Sequence, residues 1–180
     1  MLQGKLIHLQ MASIFEAAGD KEGAEGMFEK SLKKFKYSKK VWSAYQLFRM
    51  RIGDFKGAKE LLARSMKSLS RHKHVETIQL FALAEFDIGS ADRARVLFED
   101  LLSSYPKRTD LWHVFVDKEI KLGNLAQARQ LFERMIATKA STRNMKLFFK
   151  KYLAFETAHG AARLQEAVKQ RAREYVQSLM

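Results

Sequence analysis

The 180-residue chain contains no cysteine, one proline (Pro106) and nine glycines. The absence of cysteine excludes disulfide bonds and thiolate metal ligands. So little proline and glycine leaves few residues for turns, whereas 47% of the residues are hydrophobic. No apolar run approaches the roughly 18 residues that a membrane-spanning helix needs, and the start "MLQGKLIHLQ" lacks the layout of a secretory signal. These features predict a soluble, mostly helical chain with no membrane partner.

Charge of one sign dominates the chain. Thirty-three Lys and Arg residues stand against 20 Asp and Glu residues, which gives a formal net charge of +13. An excess of this size favours anionic partners through long-range attraction. It indicates the kind of partner and says nothing about the fold.

Glycines recur at intervals of 34, 36, 34 and 37 residues, at Gly19, Gly53, Gly89, Gly123 and Gly160. The first four are each followed by a residue that favours a helix N-terminus: Asp20, Asp54, Ser90 and Asn124. An alanine lies five residues after each of the same glycines: Ala24, Ala58, Ala94 and Ala128. Each unit therefore predicts a helix, a left-handed glycine stop, and a second helix packed closely through the alanine.

Large residues lie 11 and 8 positions before each glycine, a spacing that places both on one helix face. They are His8 and Met11, Trp42 and Tyr45, Ile78 and Phe81, Trp112 and Phe115, and Phe149 and Tyr152. Residues three positions further on extend this stripe in four units: Ile14, Phe48, Ala84 and Phe155. We interpret the stripe, including both tryptophans, as hairpin core rather than as a platform for stacking nucleic-acid bases.

The fold class predicted from this repeat is all-α, a right-handed α-solenoid of about five tetratricopeptide-like helical hairpins in one domain. Pro106 falls between the third and fourth hairpins, where Thr109 or Asp110 should cap the next helix. The predicted units cover residues of about 4–36, 37–71, 74–106, 109–140 and 142–178.

Each possible signature of catalysis, metal binding or cofactor binding in the sequence is incomplete or has a simpler explanation. "GDFKGAKE" has Ala58 where a phosphate-binding loop needs its second glycine. The spacing of His72, His74 and Glu76 does not converge on one helix face, and a local hydrogen bond is the simpler explanation for His113 and Asp117. The sequence therefore predicts no enzyme, no cofactor and no small-molecule substrate.

Basic residues crowd the ends of the second helices and the junctions that follow them. Repetition at the repeat period predicts a ridge that contacts RNA phosphates or an acidic protein segment, although a merely solvated surface is the alternative. The predicted ridge residues are Lys33, Lys34, Lys36, Lys39, Lys40, Arg71, Lys73, Lys107, Arg108, Lys139, Arg143, Lys146, Lys150 and Lys151.

Three stretches resemble half-a-tetratricopeptide (HAT) repeats: "VWSAYQLFRMRIG", "LWHVFVDKEIKLG" and "LFFKKYLAFETAHG". Glu85, Glu119 and Glu156, each four residues before the glycine, fit this pattern. The run from about Leu6 to Val176 is similar to the C-terminal HAT domain of the ribosomal-RNA-processing protein five family, called programmed cell death protein eleven in animals. Departures are His8, Arg49 at the glutamate position, and the last helix, which lacks the alanine.

The resemblance implies a C-terminal fragment of a larger nucleolar ribosome-assembly factor, whose OB-fold domains are absent here. It implies a non-catalytic scaffold in pre-rRNA processing and small-subunit rRNA maturation. The implied partners are pre-rRNA and protein components of pre-ribosomal particles. The alternative is a pure protein interaction or dimerisation HAT module, like those of messenger-RNA splicing and 3′-end processing factors. Salt-dependent binding to unrelated RNA, compared with binding to an acidic peptide, separates the two functions.

Overall fold

The computed structural model of the protein describes residues 2–138 and 140–179. Within these residues it contains ten α-helices, one short 3₁₀-helix at Arg71–Lys73, and no strand, so the predicted all-α helical-repeat class is confirmed. The helices are α1 Leu2–Ala17, α2 Lys21–Phe35, α3 Lys39–Arg51, α4 Phe55–Ser68, α5 His74–Asp87, α6 Ala91–Ser104, α7 Thr109–Lys121, α8 Leu125–Ile136, α9 Thr142–His159 and α10 Ala162–Gln177.

The helices are distributed over two compact structural units, which are larger than the repeat units predicted above. The boundary between them falls between Leu101 and Leu102, inside α6. In the first unit α1 packs on α2, and α3 packs on α4. In the second unit α7 packs on α8, and α9 packs on α10. Consecutive helices thus form hairpins, and the short loops between them contain the repeating glycines.

The small alanines of the second helices lie where the repeat predicts close helix contact. All four (Ala24, Ala58, Ala94 and Ala128) have no exposed surface. A larger side chain at any of them would separate helices that are in van der Waals contact.

Two kinds of glycine turn join the paired helices. Gly19, Gly53 and Gly123 have φ values of 76°, 84° and 76°, the left-handed conformation that the repeat predicts. The same prediction is wrong for Gly160, whose φ is −110°, and Gly89 also lacks a positive φ. At these two positions an added Cβ would lie 2.0 and 2.1 Å from the carboxylate of the buried glutamate four residues earlier. Glycine is needed there to make room for that carboxylate.

The predicted capping residues behave in three ways. The Asp20 and Asp54 side chains each accept a 2.8 Å hydrogen bond from the backbone N–H three residues later. Ser90 makes a longer contact of 3.5 Å to the equivalent N–H. The Asn124 side chain makes no capping bond and instead donates to the Glu119 carboxylate at 2.9 Å.

The junction after Pro106 differs from the prediction. Helix α7 begins at Thr109, its N-cap is Arg108, and no side chain caps it. Asp110 instead accepts hydrogen bonds from the Arg108 guanidinium at 2.7 and 2.8 Å. That interaction holds the pKa of Asp110 below its usual range.

Both tryptophans tie a helix to the junction before it. Trp42 and Trp112 are 3% and 4% exposed, which confirms their predicted burial. Each indole N–H donates to the backbone carbonyl six residues earlier, to Lys36 at 2.7 Å and to Pro106 at 3.0 Å. An arginine eleven residues after the repeat glycine, Arg64 or Arg134, lies over each indole ring.

Aromatic rings join one hairpin to the next within each unit. Phe28 of α2 stacks on Tyr45 of α3 at 5.0 Å between ring centroids, and Phe132 of α8 stacks on Tyr152 of α9 at 4.8 Å. Both interplanar angles are 4°. Burial raises the pKa of both tyrosines to about 12, so both remain neutral and donate to glutamates at neutral pH.

An arginine–glutamate pair lies beside each of these stacks. In the second unit Arg129 of α8 donates to Glu156 of α9 at 2.6 and 3.0 Å, and Glu156 is buried. In the first unit Glu25 of α2 pairs with Arg49 of α3. The two pairs occupy equivalent repeat positions with their charges exchanged. Arg49, a departure from the repeat pattern, is therefore matched by a compensating residue on the neighbouring helix.

The stripe in α1 is the part of the predicted core that is wrong. Met11 and Ile14 are 38% and 59% exposed. Helix α1 instead packs on its partner through Leu9, Ala12 and Phe15.

Replacing Trp112 with alanine should lower the free energy of unfolding by about 3–5 kcal/mol, because it empties a buried indole site and leaves the Pro106 carbonyl without its donor. Trp112→Phe should lose less, since it retains a ring. Denaturant titration measures both, with the exposed Lys107→Ala in the same junction as the control. Equal stabilities of Trp112→Ala and Lys107→Ala would contradict the packing described above.

Replacing Arg129 with alanine should destabilise the chain by about 3–5 kcal/mol, because it leaves the buried Glu156 carboxylate without its partner. The charge-exchanged variant Arg129→Glu/Glu156→Arg reproduces the arrangement of Glu25 and Arg49. It should be more stable than the sum of the two single variants predicts, which a double-mutant cycle in denaturant measures. Lys169→Ala, which removes an exposed lysine of α10, is the matched control and should have almost no effect. If the stability change of the double variant equals the sum of the two single changes, the pair is not coupled.

Candidate nucleic-acid interface

Residues considered as metal ligands are engaged in other contacts. The His74 ring lies 2.8 Å from the Leu69 carbonyl, Glu76 pairs with Lys39, and Asp117 pairs with Lys151 at 2.7 Å. Burial lowers the pKa of His113, whose ring packs edge-on against Phe148. Among the described residues there is no cluster of three metal-ligating side chains. In the same part of the chain no helix combines the length and apolarity needed to cross a membrane.

A groove lined by lysines lies where α2 ends and α3 begins. Its open volume is about 510 Å³. We call it the lysine groove, and its lining residues are Lys5, Lys34, Phe35, Tyr37, Ser38, Lys39, Lys40 and Lys73. Three separate segments contribute the cations: α1, the α2–α3 junction and the 3₁₀-helix. The fold thus gathers five lysines around one concave surface.

Two of these lysines are already engaged within the protein. The Lys73 ammonium donates to the Tyr37 carbonyl at 2.9 Å, which ties the 3₁₀-helix to the junction. Lys39 forms an ion pair with Glu76. Lys34 and Lys40 are exposed to solvent. The groove therefore contains both anchored and solvent-facing cations.

The start of α3 adds to the positive character of the groove. Ser38 is the N-cap residue, but its side chain makes no capping hydrogen bond. The first N–H groups of a helix carry partial positive charge and favour anions nearby. Lys39 and Lys40 occupy this first turn, so backbone and side-chain charge of the same sign meet at one edge of the groove.

Four residues of the groove were not among the predicted site residues: Lys5, Phe35, Tyr37 and Ser38. Tyr37 is 63% exposed, and the Lys36 ammonium lies 5.0 Å from the centroid of its ring. The sequence signal that could have identified Tyr37 is its position among six lysines between residues 30 and 40. Lys5 comes from α1, and it lies 14 residues before its repeat glycine, as Lys39 does. Comparing repeat positions would have found Lys5.

Two other predicted lysines line a second groove of about 380 Å³. Lys33 and Lys36 lie there with Arg64, Lys67 and Trp42. Glu29 also lines this groove and accepts from Arg64 at 3.3 Å. The dense lysine run at the end of α2 is thus divided between two concave surfaces.

The remaining predicted ridge residues are placed as follows. Arg71 is exposed in the 3₁₀-helix, and Arg108 pairs with Asp110. Lys151 pairs with Asp117 and approaches the His113 carbonyl at 3.4 Å. Four further residues are exposed: Lys107, Arg143, Lys146 and Lys150. Lys139 lies outside the described residues, and a continuous ridge through all of these positions stays a prediction.

Comparison with known proteins relates the second half of the chain to HAT repeats. The profile of the pre-mRNA-splicing factor Syf1/CRNKL1 C-terminal HAT repeat matches residues 99–179. The crystal structure of PilW, a widely conserved type IV pilus biogenesis factor, shares the fold, with a TM-score of 0.50 and 13% identity over 94% of this chain and 77% of that one.

Two relatives match almost the whole chain. The protein RRP5 homolog of Mus musculus is 37% identical over 96% of the chain, and the rRNA biogenesis protein rrp5 of Schizosaccharomyces pombe is 40% identical over 95%. The chain spans 9% and 10% of the length of these relatives. The chain therefore belongs to the RRP5 family, within which it corresponds to the C-terminal HAT repeat domain.

Proposed function

We propose that the chain is a non-catalytic scaffold of ribosome biogenesis that binds the phosphate backbone of RNA through the lysine groove. The observation that carries this proposal is the convergence of five lysines from three segments on one open surface. Dipole compensation at a single helix end does not require cations from α1 and the 3₁₀-helix as well.

The contents of the groove favour a single-stranded nucleic acid. Solvent-facing ammonium groups at Lys34 and Lys40 can pair with phosphates, and the exposed face of Tyr37 can stack on a base. The groove contains no set of amide or carboxylate side chains suited to reading base edges. Binding should therefore depend on charge and be tolerant of sequence.

The names of the relatives supply the biological context. The Schizosaccharomyces pombe and Arabidopsis thaliana relatives are named rRNA biogenesis proteins. We therefore propose that the RNA is pre-rRNA, that the partners are components of pre-ribosomal particles, and that the chain acts in the nucleolus during small-subunit rRNA maturation. An acidic protein segment is the competing ligand for the same cations.

A triple substitution in the lysine groove, Lys5→Gln/Lys34→Gln/Lys40→Gln, which leaves the Lys73 contact to the junction in place, should weaken binding to unrelated single-stranded RNAs to a similar extent. The slope of log affinity against log salt should become shallower by about 2, at about 0.7 for each phosphate contact removed. Fluorescence anisotropy at several salt concentrations measures both quantities.

The matched control is Lys21→Gln/Lys56→Gln/Lys59→Gln, which removes the same charge from exposed lysines outside the groove. It should leave the salt slope close to that of the unsubstituted chain. Equal losses in both triple variants would mean that net charge alone attracts RNA. Absent RNA binding, together with groove-dependent binding of an acidic peptide, would reject the RNA proposal in favour of a protein partner.

The same two triple variants test the cellular role when placed in the natural full-length protein. The groove variant should cause unprocessed rRNA precursors to accumulate, as measured by RNA blotting, whereas the control variant should not. Normal processing in cells that carry only the groove variant would contradict the proposed role.

A further inference from the structure

A serine hydroxyl lies among the cations of the lysine groove. Ser38 lines the groove directly before α3, is half-buried, and makes no capping hydrogen bond with its side chain. Its backbone is engaged on both sides, because its N–H donates to the Phe35 carbonyl at 2.8 Å and its carbonyl accepts from the Val41 N–H at 3.1 Å. The position of Ser38 is therefore fixed by the backbone, while its hydroxyl is left free to react.

Lysines flank Ser38 on both sides in the stretch "KKFKYSKK", which runs from Lys33 to Lys40. Lysines lie two residues before the serine and one and two residues after it. Lys36, Tyr37 and Lys40 are exposed, so another protein can reach this segment. A basophilic protein kinase, which has an acidic substrate cleft, would complement the pattern, because opposite charges favour encounter and fix the register of binding. The segment thus has the charge and exposure of a kinase substrate.

A phosphate on Ser38 would lie among the cations that line the groove. Five ammonium groups line it, and one of them, that of Lys39, is paired with Glu76. A phosphoserine carries a charge of about −1.5 to −2 at pH 7, so it would neutralise about half of the excess positive charge. Its three acceptor oxygens would compete for the ammonium groups of Lys34 and Lys40, which are exposed. An internal phosphate would therefore occupy the same cations as an RNA phosphate.

The backbone directly before Ser38 is held in place by two hydrogen bonds. The Trp42 indole donates to the Lys36 carbonyl at 2.7 Å, and the Lys73 ammonium donates to the Tyr37 carbonyl at 2.9 Å. A phosphate on the next residue would start from a fixed point beside Lys73. Because little further ordering is needed, more of the charge interaction is retained as binding free energy.

We propose that Ser38 is a phosphorylation site whose phosphate is retained by the lysine groove and closes the groove to RNA. The inference rests on the proposed function in that RNA is the ligand displaced. In the transfer step the Ser38 Oγ attacks the γ-phosphorus of ATP bound to the kinase and forms the new O–P bond. The bond between the γ-phosphorus and ADP breaks, ADP leaves, and the hydroxyl proton passes to the catalytic base of the kinase. The chain supplies only the acceptor and the cations.

Incubation of the 180-residue chain with a purified basophilic kinase and ATP tests the acceptor. Peptide mass spectrometry should find phosphate on Ser38, and Ser38→Ala should lose that phosphopeptide. An excess of single-stranded RNA should slow the modification, because RNA and kinase compete for the same segment. Phosphate on other serines, with none on Ser38, would overturn the assignment.

RNA binding by the chain phosphorylated at Ser38 tests the closing of the groove. Affinity for unrelated single-stranded RNAs should fall by about tenfold or more, as measured by fluorescence anisotropy. The slope of log affinity against log salt should become shallower by about 1.4, which corresponds to two phosphate contacts at about 0.7 each.

The matched control is the chain phosphorylated at Ser90. This serine is also half-buried and also precedes a helix, but it lies in the turn beside Glu85 rather than among lysines. Phosphate there should leave the affinity and the salt slope almost unchanged. Equal losses from phosphate at Ser38 and at Ser90 would overturn the proposal, because the added charge alone would then explain them.

The second pKa of the phosphate on Ser38, measured by ³¹P NMR titration without RNA, tests retention separately from the proposed function. Ammonium groups favour the dianion, so this pKa should lie below its ordinary value of about 6. Lys34→Gln/Lys40→Gln should raise it toward that value, and an unchanged pKa in this variant would overturn the proposal. If the unmodified chain binds no RNA, the proposed function is wrong, and the titration still decides whether the groove retains the phosphate.

Discussion

The contact on which this fold depends is the aromatic stack between one hairpin and the next, together with the arginine–glutamate pair beside it. A single hairpin cannot bury its apolar face alone, so each repeat gains stability only from its neighbours. A stacked aromatic pair contributes about 0.5–1.5 kcal/mol beyond the area that it buries. The ion pair adds directional hydrogen bonds but offsets much of their benefit through desolvation. The same pair of repeat positions carries this ion pair in both units, with the charges exchanged.

The residue four positions before the glycine links this contact to the turn. Where the buried Glu85 or Glu156 occupies it, the carboxylate fills the space beside the glycine, and a Cβ would collide with it. Where Arg49 occupies it, the space beside Gly53 is open and the glycine adopts a positive φ. Glu119 is the instructive intermediate: it bonds to Asn124, the space beside Gly123 stays open, and that glycine has a φ of 76°. A positive φ thus occurs at the repeat glycines that have no carboxylate beside them, and the other kind of turn occurs where a carboxylate fills that space.

The repeat period made most of the fold predictable, because a requirement that recurs every 34 to 37 residues is visible four or five times. The buried alanines, the two tryptophans and the all-α class follow from it directly. Exposure of Met11 and Ile14 could not be predicted, since it depends on whether a neighbouring hairpin covers them. The candidate site was predicted only in composition. The lysines between residues 30 and 40 are evident in the sequence, but their division between two grooves depends on the direction in which each side chain leaves the end of α2.

The core of the second hairpin also positions the candidate site. The Trp42 indole donates to the Lys36 carbonyl, and the Lys73 ammonium donates to the Tyr37 carbonyl, so two consecutive junction residues are held by hydrogen bonds from two different elements. Lys34 precedes this clamp and Lys40 follows it, which sets the two solvent-facing cations on a defined frame rather than on a mobile loop. Because part of the ordering cost is met during folding, an anionic ligand can gain more of the charge interaction as affinity. The buried tryptophan of a repeat and the basic junction before it are therefore parts of one arrangement, in which packing of the core sets the positions of the two cations that we propose as phosphate ligands.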